Sequence, residues 1–128
     1  MENNNEDTQI KEEFLTPGGE LKKGVPVIIV EIIEYVPNAV LSKTIIKKTT
    51  GNITAMSFDT GEELTERTSP FDTFIQVIDG NAQILIDGKP NVVKLGQGII
   101  IPAHTPSFIK AVERFKIIST VIKSAYDN

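Results

Sequence analysis

The 128-residue chain has no cysteine, no tryptophan and a single histidine, His104. The missing thiols exclude disulfides, thiol catalysis and zinc ribbons, and one imidazole cannot build a multi-histidine metal centre. Long apolar runs are missing too. No stretch approaches the roughly 18 to 20 residues of a membrane span, and the acidic start lacks the basic and apolar regions of a secretory signal. A cytoplasmic protein without a membrane partner is the expectation. There is also no basic excess. The formal charge is −4, and residues 1–13 carry it, with Glu2, Glu6, Asp7, Glu12 and Glu13 against Lys11 alone. The remainder is electrically balanced, which argues against a phosphate-tracking surface and hence against nucleic acid. No dinucleotide fingerprint, phosphate-loop lysine or EF-hand pattern occurs. Asn52-Ile53-Thr54 matches a glycosylation sequon, which without secretion is a chance match.

What remains is a composition of 40% apolar and 23% charged residues, ordinary for a folded globular chain of one-domain length. Residues 1–9, with three consecutive asparagines and three acids (Glu2, Glu6 and Asp7), bury too little to order themselves and form an expected disordered tail. Residues 10–39 form an extension expected to pack on the main body or on a partner. A helical turn fits between Gln9 and Leu15, ended by Thr16-Pro17-Gly18-Gly19. Val27 to Tyr35 is ambiguous: its β-branched content favours a strand, while Glu31 and Glu34 would fit one helix face, and strand is preferred.

From Val40 onward, short β-branched runs recur between turn residues. They cover Val40–Lys48, Ile53–Asp59, Phe74–Ile78, Ala82–Ile86, Val92–Leu95, Ile99–Ile101, Phe108–Val112 and Phe115–Lys123. Asp79-Gly80 and Asp87-Gly88 are hairpin signals, because tight two-residue turns demand positive φ. Eight strands this close together leave no room for crossover helices. The expected fold is therefore all-β, an antiparallel jelly-roll barrel over residues 40–128. Alternation puts Thr73, Ile75 and Val77 on one face of their strand and Phe74, Gln76 and Ile78 on the other. Ala82, Ile84 and Ile86 likewise oppose Gln83, Leu85 and Asp87. Both faces are largely apolar, so the outer one needs cover, from a partner sheet or a second subunit.

The stretch from Gly61 through Arg67, Ser69 and Thr73 to Gly80, followed by Gly96, Pro102 and Ser107, resembles the two signature motifs of the cupin superfamily. The first motif reads G-x5-H-x-H-x3-E-x6-G, and Gly61 and Gly80 stand at both glycine positions. In the second, G-x5-P-x4-H, Gly96 and Pro102 fit. The resemblance spans about residues 40–123 and is nearest to small, single-domain, RmlC-like cupins of the conserved-barrel type. It implies a jelly-roll barrel. The metal ligands of the family, two His and a Glu from the first motif and a His from the second, fall here on Arg67, Ser69, Thr73 and Ser107. Arg offers only donors and neutral hydroxyls bind transition ions poorly, so no metal and no other cofactor is expected. The resemblance also implies a homodimer, since many small cupins pair through N-terminal strands, and the apolar Val27–Tyr35 segment with Phe74 and Ile78 fits that role.

The candidate ligand-binding residues are Arg67, Ser69, Thr73, His104 and Ser107. Arg67, placed where a metal would sit, could pair bidentately with a carboxylate or phosphate; the alternative is an ion pair to Glu66 or Asp72. The three hydroxyls either face the same point or simply bond to backbone. His104 is a general base at the barrel rim or a surface loop residue. Glu62, Glu63 and Glu66 read as a solvated acidic loop. Three functions stay open. One is a metal-free cupin binding a small polar or anionic metabolite, with no catalytic residue assigned. Another is a metal-independent isomerase, epimerase or lyase using Arg67 and His104. The last is a structural or regulatory dimer whose lumen is filled by Phe58, Phe71, Ile75 and Val77.

Overall fold

The computed structural model describes residues 19–123, so the tail expected over 1–9 and the turn between Gln9 and Leu15 lie outside the described residues. Nine strands occur among the described residues: β1 (Val40–Lys48), β2 (Gly51–Phe58), β3 (Glu63–Arg67), β4 (Asp72–Asp79), β5 (Ala82–Ile86), β6 (Lys89–Val93), β7 (Gly98–Ile101), β8 (Ser107–Lys110) and β9 (Phe115–Ile122). They form a five-stranded sheet in the order β1-β2-β9-β4-β7 and a four-stranded sheet in the order β3-β8-β5-β6, all pairings antiparallel. The all-β jelly roll expected from the alternation is the fold observed.

Two local assignments from the sequence need correction. Residues 63–67 form strand β3, although Glu63 and Glu66 suggest a solvated acidic loop. An edge strand needs only one paired neighbour and can carry charge on its open side, so β3 has little apolar signal beyond Leu64. Val27–Tyr35 is not a strand. It contains a short 3-10 turn at Ile29–Glu31 within irregular chain. Pro26 and Pro37 bracket it, and its apolar content serves one buried side chain instead of a ladder.

Turn chemistry follows the residues. Asp87 and Gly88 adopt φ of 51° and 80°, the left-handed pair that a two-residue hairpin between β5 and β6 requires. Gly80 has φ of 69°, and a Cβ there would strike the Arg114 carbonyl oxygen and lie 3.1 Å from the Phe115 Cα. Glycine is thus demanded twice at that position.

The core lies between the sheets. Ile75 and Val77 from β4, Ile84 from β5, Ile117 from β9 and the stacked rings of Phe58 and Phe115 are all buried. The face assignment of β4 is observed, with Phe74 turned outward and 41% exposed. A second, smaller cluster covers part of the outer face of the five-stranded sheet. There Ile33, fully buried, packs with Ala55 and Ile118, flanked by Ile32, Leu41, Ile45, Ile53 and Ile78. Part of the cover that the outer face requires therefore comes from the chain's own extension.

Polar contacts fix the extension in place. Ser57 Oγ donates to the Glu34 carbonyl and Lys116 Nζ to the Val30 carbonyl, each at 2.7 Å. The Tyr35 hydroxyl donates to Asp79 Oδ2 at 2.7 Å, and Arg114 lies 4.6 Å from the centroid of the Tyr35 ring. Burial, then the Asp79 hydrogen bond, pushes the Tyr35 hydroxyl well above the ordinary tyrosine range. The phenol stays protonated and remains a donor.

Ile33→Ala should therefore destabilise the protein by about 2 to 5 kcal/mol in urea unfolding, the range for deleting a buried aliphatic side chain. Ile29→Ala, four residues away on an exposed side chain, should stay within about 0.5 kcal/mol of the parent. Equal effects at both positions would contradict the docking of the extension through Ile33.

Candidate functional site

Register determines what the lumen presents. Along the β2 and β9 ladder, Phe58 opposes Phe115 at one end and Asn52 opposes Val121 toward the other. The two rings stack at 4.5 Å between centroids and fill the first end. The other end is open, as a cavity of about 430 Å³. Across the five-stranded sheet the row Asn52, Val121, Thr73 and Ile101 lies in register, and all four residues line the cavity. On the facing sheet Arg67 pairs with Ser107, and both line it as well.

Arg67 reaches the lumen through an irregularity. The β3 register shifts between Leu64 and Arg67, so two residues an odd number of positions apart both face the cavity. A regular strand would have turned one of them outward. The Arg67 guanidinium is exposed to solvent and makes no ion pair among the described residues. Asp72, a possible partner, instead accepts the Ala103 N–H on Oδ1 at 2.8 Å.

The loop after β3 is clamped to the loop after β7. The His104 N–H donates to the Ser69 carbonyl at 2.6 Å, and Ser69 Oγ accepts the Phe71 N–H at 3.1 Å. Four of the five candidates, Arg67, Ser69, Thr73 and Ser107, share the cavity wall. His104 does not. It is exposed, with φ of 63°, and it joins the site through its backbone N–H. The Ser69 hydroxyl is used locally, whereas the side chains of Thr73 and Ser107 have no protein hydrogen-bond partner among the described residues.

Other lining residues escaped sequence reasoning. Asn52 is on the wall, though its only sequence signal was the sequon. Ser119 and Lys123 are there too, and their parity with Val121 along β9 is the signal that could have located them. Deeper than the row of Asn52, Val121, Thr73 and Ile101 the wall becomes an apolar floor of Met56, Leu64, Ile75 and Ile109, with Ser119 level with Ile75. Among the described residues no carboxylate, imidazole or phenol lines the cavity.

The arrangement defines a class: a small single-domain jelly roll, plugged at one end and open at the other, with a cation and hydroxyls at the open end. No protein-family model matches the chain, and no curated protein matches it. Solved structures do. A conserved protein of unknown function from Streptococcus pyogenes is 28% identical with a TM-score of 0.78, over 82% of this chain and 92% of that one. A cupin superfamily protein from Desulfitobacterium hafniense is 26% identical with a TM-score of 0.77, over 82% and 96%. A cupin 2 conserved barrel domain protein from Leptotrichia buccalis is 34% identical with a TM-score of 0.71, over 73% of this chain and 46% of that one. The chain belongs to the cupin superfamily. Enzymes share the fold at greater distance, among them a salicylate 1,2-dioxygenase from Pseudoaminobacter salicylatoxidans, 16% identical with a TM-score of 0.62 over 69% of this chain and 26% of that one. Such a likeness shows the fold alone.

The metal that the family's motifs hold does not fit these residues. Its four ligand positions carry a permanently cationic guanidinium and three neutral hydroxyls. Among the described residues no group of three His, Asp or Glu side chains converges anywhere. Elemental analysis of protein dialysed against a chelator should accordingly find no stoichiometric nickel, zinc, iron or manganese. One retained equivalent would overturn this reading of the four positions.

Proposed function

We propose that this cupin binds a small polar or anionic metabolite in the open end of its barrel, without a metal and with Arg67 as the anchor. The observation that carries this reading is a guanidinium on a cavity wall that, among the described residues, offers it neither an ion-pair partner nor any carboxylate in the lining. Arg presents a planar fork of donors that matches carboxylate or phosphate oxygens. Thr73 and Ser107 add hydroxyls that can donate or accept at the same opening. The size suits a small molecule, since ligand pockets commonly run from about 300 to 1,000 Å³.

The alternatives have less support. An isomerase or lyase built on Arg67 and His104 needs the imidazole in the lumen, and it lies outside the cavity wall. A closed structural barrel needs its lumen filled to the mouth. Phe58, Ile75 and Val77 do fill the lower part, but Phe71 borders open space.

Homodimerisation is retained as a proposal, with a changed surface. Ile32, Ile33 and Ile78 are taken up by the chain's own small cluster. Above them an outward row in register, Ile46, Ile53, Thr120, Phe74 and Ile100, crosses all five strands. Ile46, Phe74 and Ile100 in it are 39%, 41% and 61% exposed. The row carries no charge, so it can meet its own copy across a twofold axis without burying an unpaired ion. Light scattering at micromolar concentration should give about twice the 14.1 kDa chain mass. Phe74→Glu with Ile100→Glu should give the single mass. A wild-type monomer would refute the dimer.

For the anchor, Arg67→Ala is the direct test. A carboxylate or phosphate compound that raises the wild-type melting temperature adds roughly 2.7 kcal/mol at about 100 times its dissociation constant. That gain should vanish in Arg67→Ala. Equal stabilisation of the variant would remove Arg67 from the site.

A further inference from the structure

We infer that the ligand is a short aliphatic dicarboxylate, one carboxylate held by Arg67 and the other by Lys123, with its hydrocarbon body over the apolar floor. This rests on the binding reading above and specifies its ligand class.

Lys123 follows β9 directly and continues the alternation of Ser119 and Val121, both of which line the same cavity. Its own backbone N–H donates to the Thr50 carbonyl at 2.8 Å, which extends the β2 and β9 pairing and holds the residue at the open end. The side chain lines the cavity and makes no ion pair among the described residues. Arg67 projects from the four-stranded sheet and Lys123 stands at the end of the facing one. Among the described residues the cavity thus has one cation on each wall and no anion in its lining. In a chain of net charge −4, that local pair of positive charges is balanced by no acidic residue among the described lining residues.

A lumen charged in this way favours an anion, and the position of the charges favours a ligand with two ends. Depth adds the rest. Lys123 stands past the register row of Thr73 and Val121, and Arg67 is level with Ser107. One alternation deeper Ser119 lies beside Ile75 and Ile109 beside Leu64, and with Met56 deeper still, Met56, Ile75 and Ile109 form the apolar floor. A compact ion such as phosphate would leave that floor in contact with water. Methylene groups would cover it, at a gain of roughly 0.8 kcal/mol for each one buried. The hydroxyls then accommodate carboxylate lone pairs that the cations leave unused.

Calorimetric titration with succinate, glutarate and adipate, each against the monocarboxylate of equal length (butyrate, valerate, hexanoate), tests this. In wild type one dicarboxylate should bind about tenfold or more tightly than its monocarboxylate, the scale of a charge-assisted contact. Lys123→Gln should weaken the dicarboxylate far more than its monocarboxylate and so erase that difference, and Lys123→Arg should restore it. Arg67→Ala should lose both. Circular dichroism melting confirms that each variant is folded. If Lys123→Gln weakens both acids equally or neither, or if no dicarboxylate binds wild type, the dicarboxylate inference is overturned. Inorganic phosphate binding as tightly as the best dicarboxylate would overturn it as well. If Arg67→Ala binds every probe as wild type does, the anchor itself fails, which is a different result from the failure of Lys123.

Discussion

The stacked rings of Phe58 and Phe115 are the constraint on which the rest of the lumen depends. They are register partners on neighbouring strands, fully buried, and 18° from coplanar. An aromatic pair of this kind adds about 0.5 to 1.5 kcal/mol beyond the burial of its surface. Its greater effect is positional. With that pair anchoring one end of the β2 and β9 ladder, each second residue toward the other end is assigned to the lumen, and a slip by one position would turn all of them outward. Ile117, Ser119 and Val121 follow from Phe115 in this way, and Met56 and Asn52 follow from Phe58. The progression from aromatic plug through aliphatic floor to hydroxyls and cations is one register read along the strands.

The outer face obeys the same alternation but is finished differently. Ala55 and Ile118 lie opposite each other on it and accept Ile33 from the extension. Burying Ile33 requires irregular chain to run across a sheet, and its carbonyl groups need donors. Lys116 and Ser57, both on that face, supply them to Val30 and Glu34. Tyr35 completes the attachment through Asp79 and the cationic side chain of Arg114. The extension is held by apolar packing at one residue and by hydrogen bonds on either side of it, which is why it can dispense with a strand.

How much of this was legible in the sequence differs by element. β1 and β5 have the ends that their β-branched runs predict, and the Asp87-Gly88 hairpin follows from two residues. The resemblance of the stretches from Gly61 to Gly80 and from Gly96 to Pro102 to the two cupin motifs nominated Arg67, Ser69, Thr73 and Ser107 as one site. The structure puts all four in the lining of one cavity. β3 was not legible, because an edge strand with a register shift carries neither alternation nor a long apolar run. Val27–Tyr35 misled for the opposite reason: it is rich in β-branched residues, yet tertiary packing of Ile33 outweighs propensity there. The orientation of His104 depends on a left-handed backbone conformation that composition does not announce. Lys123 was missed because its place depends on β9 keeping its alternation to the very end of the sheet.

The central claim is that Arg67 holds an anionic group inside the lumen, and a crystal structure of wild type grown with glutarate examines it most directly. The account predicts carboxylate density within hydrogen-bond distance of the Arg67 guanidinium, above the floor of Met56, Ile75 and Ile109. Glutarate bound elsewhere on the molecule, with solvent alone between Arg67 and the facing sheet, would contradict it.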